Sequence, residues 1–259
     1  MPDDVLLTDL TNGVFTITLN RPKANAFNDE LIDATKQAFK KAKNDAAIRC
    51  VLLNANGKIF SAGQDVGAFN SGERVSFRQH LLQTYNPLIL QMRRLEKPIM
   101  AAINGAVAGA ALGIVLACDL RIASEKARFI VGFGGIGLAP DSAVSLLLPT
   151  IIGLGRASEA IYFNQPINAE QALDWGLVNR MVPADELESA SKEWAGLLAQ
   201  GPLNAIGLAK RDLNQAILPK LEAQLDYEAH IQEIAGNGPD HREGLTAFLE
   251  KREPDYVNN

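Results

Sequence analysis

The chain has little cysteine and little histidine: two of the first and three of the second in 259 residues. Two cysteines cannot build a secreted disulfide framework. Cys50 and Cys118 both lie in apolar runs, Ile48–Leu53 and Ile114–Leu120, where buried, inert thiols are expected. His80, His230 and His241 are scattered, with no H-E-x-x-H pattern and no Cys/His cluster, so no metal site is expected. An excess of positive charge is lacking too. The formal net charge of −5 argues against a general binder of nucleic acid or of anionic membranes, without excluding a local basic patch for a phosphorylated ligand. Met1-Pro2-Asp3-Asp4 is acidic and no apolar core segment follows it, so no signal peptide is expected and a reducing cytoplasm is the default location. One stretch lacks charge altogether: Ile99–Cys118 is long enough to cross a bilayer. It is mostly Ala and Gly, which insert weakly, and Asn104-Gly105 signals a turn in its middle. A buried strand, turn and helix is the expectation there.

What is present is an ordinary globular composition, 47% hydrophobic and 21% charged, in a chain long enough for a sizeable core. Val14–Leu19 alternates as a strand, and Asn28 can cap a helix carrying Leu31, Thr35, Ala38 and Ala42 on one face. Ile48–Asn54 reads as a strand, followed by a turn-rich loop and a helix from about Arg74 to Glu96, kinked at Pro87. A strand over Pro98–Asn104, a small-residue helix over Gly109–Ala117 and short strands near Leu120, Phe129 and Val178–Val182 follow. Leu187, Trp194 and Leu198 share one helical face, and so do Leu221, Leu225, Ile231 and Ala235. Strands alternating with helices, then a run of helices, mean an α/β core with a helical C-terminal part. The boundary is placed between 1–195 and 196–259.

Several segments invite a chemical reading. Gly132–Gly137 matches G-x-G-x-x-G, but Leu138-Ala139-Pro140 intervene before any helix and no strand ending in an acid follows at the required distance, so a dinucleotide cofactor is not expected. Ser61 lies outside a G-x-S-x-G elbow. Phe60–Asp65 and Gly105–Gly113 carry little side-chain bulk, which leaves backbone N–H groups open; two that converge make an oxyanion hole. Close helix packing accounts for the same small residues. Asp141, among apolar neighbours at the start of a helix, reads either as an N-cap or as a partly buried general base.

Taken in order, Leu19-Asn20-Arg21-Pro22, Phe60–Asp65, Lys97–Gly105, Ala117-Cys118-Asp119, Ala169–Ala172, Trp175–Val178 and Glu243–Arg252 resemble the crotonase (enoyl-CoA hydratase/isomerase) superfamily over essentially the whole chain. The resemblance implies a spiral of ββα units with a helical C-terminal trimerisation region. It implies a homotrimer or dimer of trimers acting on acyl-CoA, with no other cofactor, no nucleic acid and no membrane partner. By resemblance the thioester oxygen rests on the N–H groups of Gln64 and Ala110. Lys23, Ala24, Ala62 and Asp65 then lie near the CoA, and Phe248 and Lys251 match positions that reach the CoA of a neighbouring subunit.

The superfamily's hydratases carry two glutamates, and this chain has Gly113 and Phe133 in those places. Asp141 stands where some of its isomerases carry their working acid. Gly63-Gln64-Asp65, Tyr85-Asn86-Pro87-Leu88, Ala108-Gly109-Ala110 and Gly137–Asp141 resemble most the epoxyphenylacetyl-CoA isomerase branch, which also shifts enoyl-CoA double bonds. Phe133, Asn86 and Pro140 are then expected at the acyl pocket. That branch usually follows the aspartate with a Gly-Gly pair; Ala143-Val144 stand there in this chain and are expected to narrow the pocket. A 4-chlorobenzoyl-CoA dehalogenase type also resembles the pattern, though Asn86 and Phe133 replace its histidine and tryptophan. A non-catalytic acyl-CoA-binding protein is the remaining alternative.

Overall fold

The computed structural model describes residues 4–22, 24–67 and 76–258. Strands β1 (Leu6–Thr11) and β2 (Val14–Leu19) form an antiparallel hairpin. Asn12 and Gly13 both take positive φ between them, the tight turn that an Asn-Gly pair favours. The sequence reading starts the sheet at Val14; β1 escapes it because its side chains are mostly exposed and do not alternate. Asn28 does cap α1 (Asp29–Asn44), its side chain accepting from Leu31 N. The helix buries Leu31, Ile32, Thr35, Ala38, Phe39 and Ala42 against the core.

The chain then repeats one manoeuvre. β3 (Cys50–Ala55) joins the main sheet beside β2, after which Ser61 bridges to a second, smaller sheet before the chain turns helical. The helix expected over Arg74–Glu96 is two helices among the described residues, α2 (Phe77–Gln83) and α3 (Tyr85–Arg94), broken at Thr84. Pro87 does not make the kink: it lies in the first turn of α3, where its missing N–H has no helical acceptor to lose. β4 (Ile99–Ile103) returns to the main sheet, β5 (Ala106–Ala108) enters the small one, and α4 (Ala110–Ala117) follows. Every residue of α4 is buried, which accounts for the uncharged stretch around it. No helix among the described residues is long and apolar enough to cross a membrane.

β6 (Leu120–Ser124) and β7 (Arg128–Ile130) repeat the step. A 3-10 turn over Phe133–Ile136 then leads to α5 (Val144–Ile152) and α6 (Leu154–Phe163). β8 (Ile167–Asn168), α7 (Ala169–Asp174) and β9 (Arg180–Val182) close the two sheets. The main sheet runs β1-β2-β3-β4-β6-β9, parallel from β2 onward, and the small one runs β5-β7-β8. This is the α/β spiral of ββα units, followed by helices α8 (Leu187–Gln200), α9 (Leu203–Ile217), α10 (Leu221–Gly236) and α11 (Pro239–Glu250). A boundary after residue 195 falls inside α8, whose Leu187, Ala195 and Ala199 pack on β2, β3, β4 and β6 as part of the core.

Candidate active site

The repeat positions the site. Ser61 and Val107 are paired in parallel, and Val107 is paired with Phe129, so three loops leave the small sheet side by side. They carry Gly63-Gln64, Gly109-Ala110 and Gly132-Phe133. Two of these glycines are needed where they stand. Gly63 has φ +87°, and a Cβ there would lie 2.7 Å from the Ala108 carbonyl oxygen and 3.6 Å from Ala110 N, so the first two loops touch through bare backbone. Gly109, at φ +55°, gives its own N–H to Ile130 O and turns the chain into α4.

Two N–H groups are left over. Phe27 N donates to Gly63 O and Asp65 N donates to Phe27 O, which leaves the Gln64 amide between them on the other side of the strand-like segment. Ala110 is the first residue of α4, where an amide has no acceptor within the helix. Neither N–H has a hydrogen-bond partner among the described residues. Both residues line a cavity of ≈ 390 Å³, together with Ala62, Asp65, Phe133, Asp141 and Phe248.

Asp141 is 7% exposed. Its Oδ1 accepts from Ser142 Oγ at 2.7 Å and its Oδ2 from Gln232 Nε2 at 2.8 Å. Burial pushes its carboxyl up to about 6, against the lowering pull of these two hydrogen bonds. It is not a cap: the residue that starts α5 is Ala143, at φ +67°, and no side chain within that turn caps the helix. The capping group comes from α10. Glu228 accepts from Ala143 N with one oxygen and from Ser145 N and Oγ with the other. Burial raises this carboxyl to about 7, with the Asp141 charge adding to the shift. One turn further along α10, Gln232 accepts from Ala139 N at 3.2 Å while donating to Asp141. The loop bearing Asp141 is therefore held at both ends by one helix.

The remaining sequence candidates divide. Asp65 lines the cavity but is paired with Arg21 at 2.7 Å, a contact that ties its loop to residues 21–26. Ala24, at φ +53°, lies behind the wall and accepts from Ala62 N. Lys23 lies outside the described residues. Asn86 is buried beside the cavity rather than in it and donates to Leu225 O. Pro140 likewise does not line the wall, and Lys251 sits exposed at the C-terminal cap of α11.

Phe248 lines this chain's cavity, because α11 packs on the 3-10 turn, with His241 Nδ1 2.8 Å from Ile136 O. One expectation is corrected. Ala143 and Val144 do not narrow the pocket: both side chains are fully buried in the main core and neither lines the cavity.

Sequence reasoning missed Glu228, Gln232, Tyr85, His80 and His241. A signal existed for the first two. The buried stripe of α10 is Leu221, Leu225, Glu228, Ala229 and Gln232, not the Leu221, Leu225, Ile231 and Ala235 read from the sequence, and two polar residues at core spacing mark a polar partner opposite.

Residues 9–259 match the family model described as enoyl-CoA hydratase/isomerase. The chain is 37% identical over 258 residues to the 1,2-epoxyphenylacetyl-CoA isomerase of Escherichia coli (strain K12), covering 98% of each chain. It is 34% identical over 256 residues to the trans-2-decenoyl-acyl-carrier-protein isomerase of Streptococcus mutans, covering 97% of each. Among solved structures, an enoyl-CoA hydratase from Mycobacterium avium subsp. paratuberculosis K-10 matches with a TM-score of 0.89 at 32% identity, covering 99% of this chain and 100% of the other.

Proposed function

The chain belongs to the enoyl-CoA hydratase/isomerase family, and from that premise we propose that it isomerises acyl-CoA thioesters, shifting a double bond or rearranging a ring epoxide through a thioester enolate. One observation carries the reading: a buried carboxyl, Asp141, lines the same cavity as two unused backbone N–H groups. The thioester oxygen rests on Gln64 N and Ala110 N. For a 3-enoyl substrate, the Asp141 carboxylate takes a proton from C2, and the electron pair moves onto the thioester oxygen as an enolate. The same carboxyl then returns the proton to C4 while the double bond settles between C2 and C3. Nothing is gained or lost overall, so one acid–base residue suffices. The preformed N–H pair stabilises the charge where it develops; removing one such donor typically costs about a hundredfold to a thousandfold in rate. A carboxyl near 6 is mostly ionised at neutral pH and remains basic enough to abstract the proton.

Water addition is disfavoured for a steric reason. A Cβ at Gly113 would lie 2.3 Å from Ser142 O and 2.6 Å from Ser142 Cβ, so the loop that positions Asp141 occupies the space a glutamate there requires. Phe133 gives an apolar wall in place of the second acid. Apart from Asp141, the carboxylate lining the cavity among the described residues is Asp65, which is committed to Arg21. By the family resemblance CoA lies near Ala24 and residues 62–65, and Phe248 and Lys251 reach the CoA of a neighbouring subunit, with no further cofactor. Leu154, Tyr162 and Phe163 on α6 are 74%, 79% and 70% exposed, an apolar patch suited to subunit contact in a homotrimer or dimer of trimers. A cytoplasmic location fits the buried, unpaired thiols.

The test is turnover of a 3-enoyl-CoA and of epoxyphenylacetyl-CoA by wild type and Asp141→Asn, with CoA-ester binding followed in parallel. Wild type should convert at least one, and the variant should bind without converting. A variant that retains wild-type turnover refutes the role of Asp141; wild type that binds both and converts neither refutes the isomerase reading.

A further inference from the structure

Gln64 offers the cavity more than its main chain. Its side-chain oxygen accepts from Tyr85 Oη at 2.5 Å and lies 3.3 Å from His80 Nε2. Tyr85 is 1% exposed and this is its one hydrogen-bond partner among the described residues, so its proton must go to an acceptor and the carboxamide must turn its oxygen that way. Edge-to-face contacts with Phe27 and His80, at 6.2 and 5.9 Å between ring centroids, hold the tyrosine in place. The NH2 group therefore faces away from Tyr85, and it has no partner among the described residues. Gln64 is half-buried and lines the cavity, whose neighbouring wall is apolar: Val66, Phe77, Leu81, Phe133 and Leu138.

We propose that this amide is a second substrate-facing donor, and that the site selects acyl groups with an acceptor oxygen two or three atoms from the thioester carbon, such as an aryl epoxide or ether, over plain hydrocarbon chains. The inference rests on the reading above, in which Gln64 N meets the thioester oxygen; the side chain of the same residue then reaches only the first few atoms of the acyl group. A hydrocarbon there leaves two donors without an acceptor, whereas an oxygen satisfies one. Sites built to bond a polar group discriminate strongly against analogues that lack it. Tyr85 acts as a positioning residue, since its hydroxyl decides which end of the amide faces substrate.

The experiment uses two non-reacting ligands that differ in one atom, phenoxyacetyl-CoA and 3-phenylpropanoyl-CoA, with dissociation constants measured for wild type, Gln64→Leu and Tyr85→Phe. Wild type should prefer the ether about tenfold, the worth of one well-placed hydrogen bond. Gln64→Leu should abolish the preference and Tyr85→Phe should reduce it, because the amide is then free to flip. Equal binding of both ligands by wild type, or a preference that survives both substitutions, overturns the proposal. Turnover of the 3-enoyl and epoxide substrates is scored separately, so a failed isomerase reading is told apart from a failed donor.

Discussion

The carboxyl of Asp141 sits at about 6 where an ordinary aspartate sits at 3.8, and burial is the cause. Roughly 2 pH units correspond to on the order of 3 kcal/mol by which the folded chain disfavours the ionised form. Below about pH 4 folded and unfolded chains both hold this proton. Between about 4 and 6 the unfolded chain releases it while the folded chain keeps it, so this group makes stability fall as pH rises through that window, and the cost is constant above it. Asp141→Asn cannot ionise and escapes the cost. Its amide oxygen can keep one of the two donors, Ser142 Oγ or Gln232 Nε2, and losing the other costs about 1 kcal/mol. The variant should thus be more stable than wild type by about 2 kcal/mol at pH 8 and no more stable at pH 4. Urea unfolding of both proteins at the two pH values reads the difference directly. In turnover the sign is opposite: wild-type kcat/KM should fall about tenfold per pH unit below 6, and the variant should lose about a hundredfold to ten-thousandfold at pH 8. A stability difference between variant and wild type that does not change with pH would refute the burial argument.

Glu228→Ala should cost about 3 kcal/mol, because Ala143 N, Ser145 N and Ser145 Oγ lose their acceptor, and should lower kcat more than it raises KM as the loop loosens; thermal melts and steady-state kinetics check both. Gly113→Glu should not create a hydratase; with Ser142 backbone 2.3 Å from the new Cβ it should destabilise by about 3 kcal/mol and abolish isomerisation, measured by unfolding and by assays of both reactions. Ala143→Gly should leave stability within about 1 kcal/mol of wild type, since relief of the strain at φ +67° is offset by the loss of a fully buried methyl and by the greater freedom of glycine in the unfolded chain; denaturant midpoints test this. Burial pushes both thiols up to about 12, so neither Cys50 nor Cys118 should react with a thiol reagent until the chain is unfolded, when both should.

Much of this protein was legible along the chain because its causes are local. Alternation marked β2, Asn28 marked the start of α1, and the small-residue runs marked the loops that bring Gln64 and Ala110 to the cavity, since only backbone without bulk can pack as Gly63 packs on Ala108. The two boundaries it misjudged were also local in kind but balanced by longer contacts: the helix break falls at Thr84 and not at Pro87, and β1 is held by its pairing with β2, not by any pattern of its own. Whether Asp141 was a cap or a base could not be decided locally, because both roles ask for the same residue at the same place. The capping half of the question is decided 91 residues on, where α10 lays Gln232 against the carboxyl and Glu228 against the start of α5, taking over the capping duty and leaving Asp141 buried at the cavity. Ala143 and Val144 point into the core for the same reason, and Phe248 joins its own chain's cavity because α11 packs on the 3-10 turn. Periodicity and turn chemistry act over a few residues and can be read in order. The protonation of a carboxyl depends on how much water the rest of the fold excludes, and that is settled only when distant elements meet.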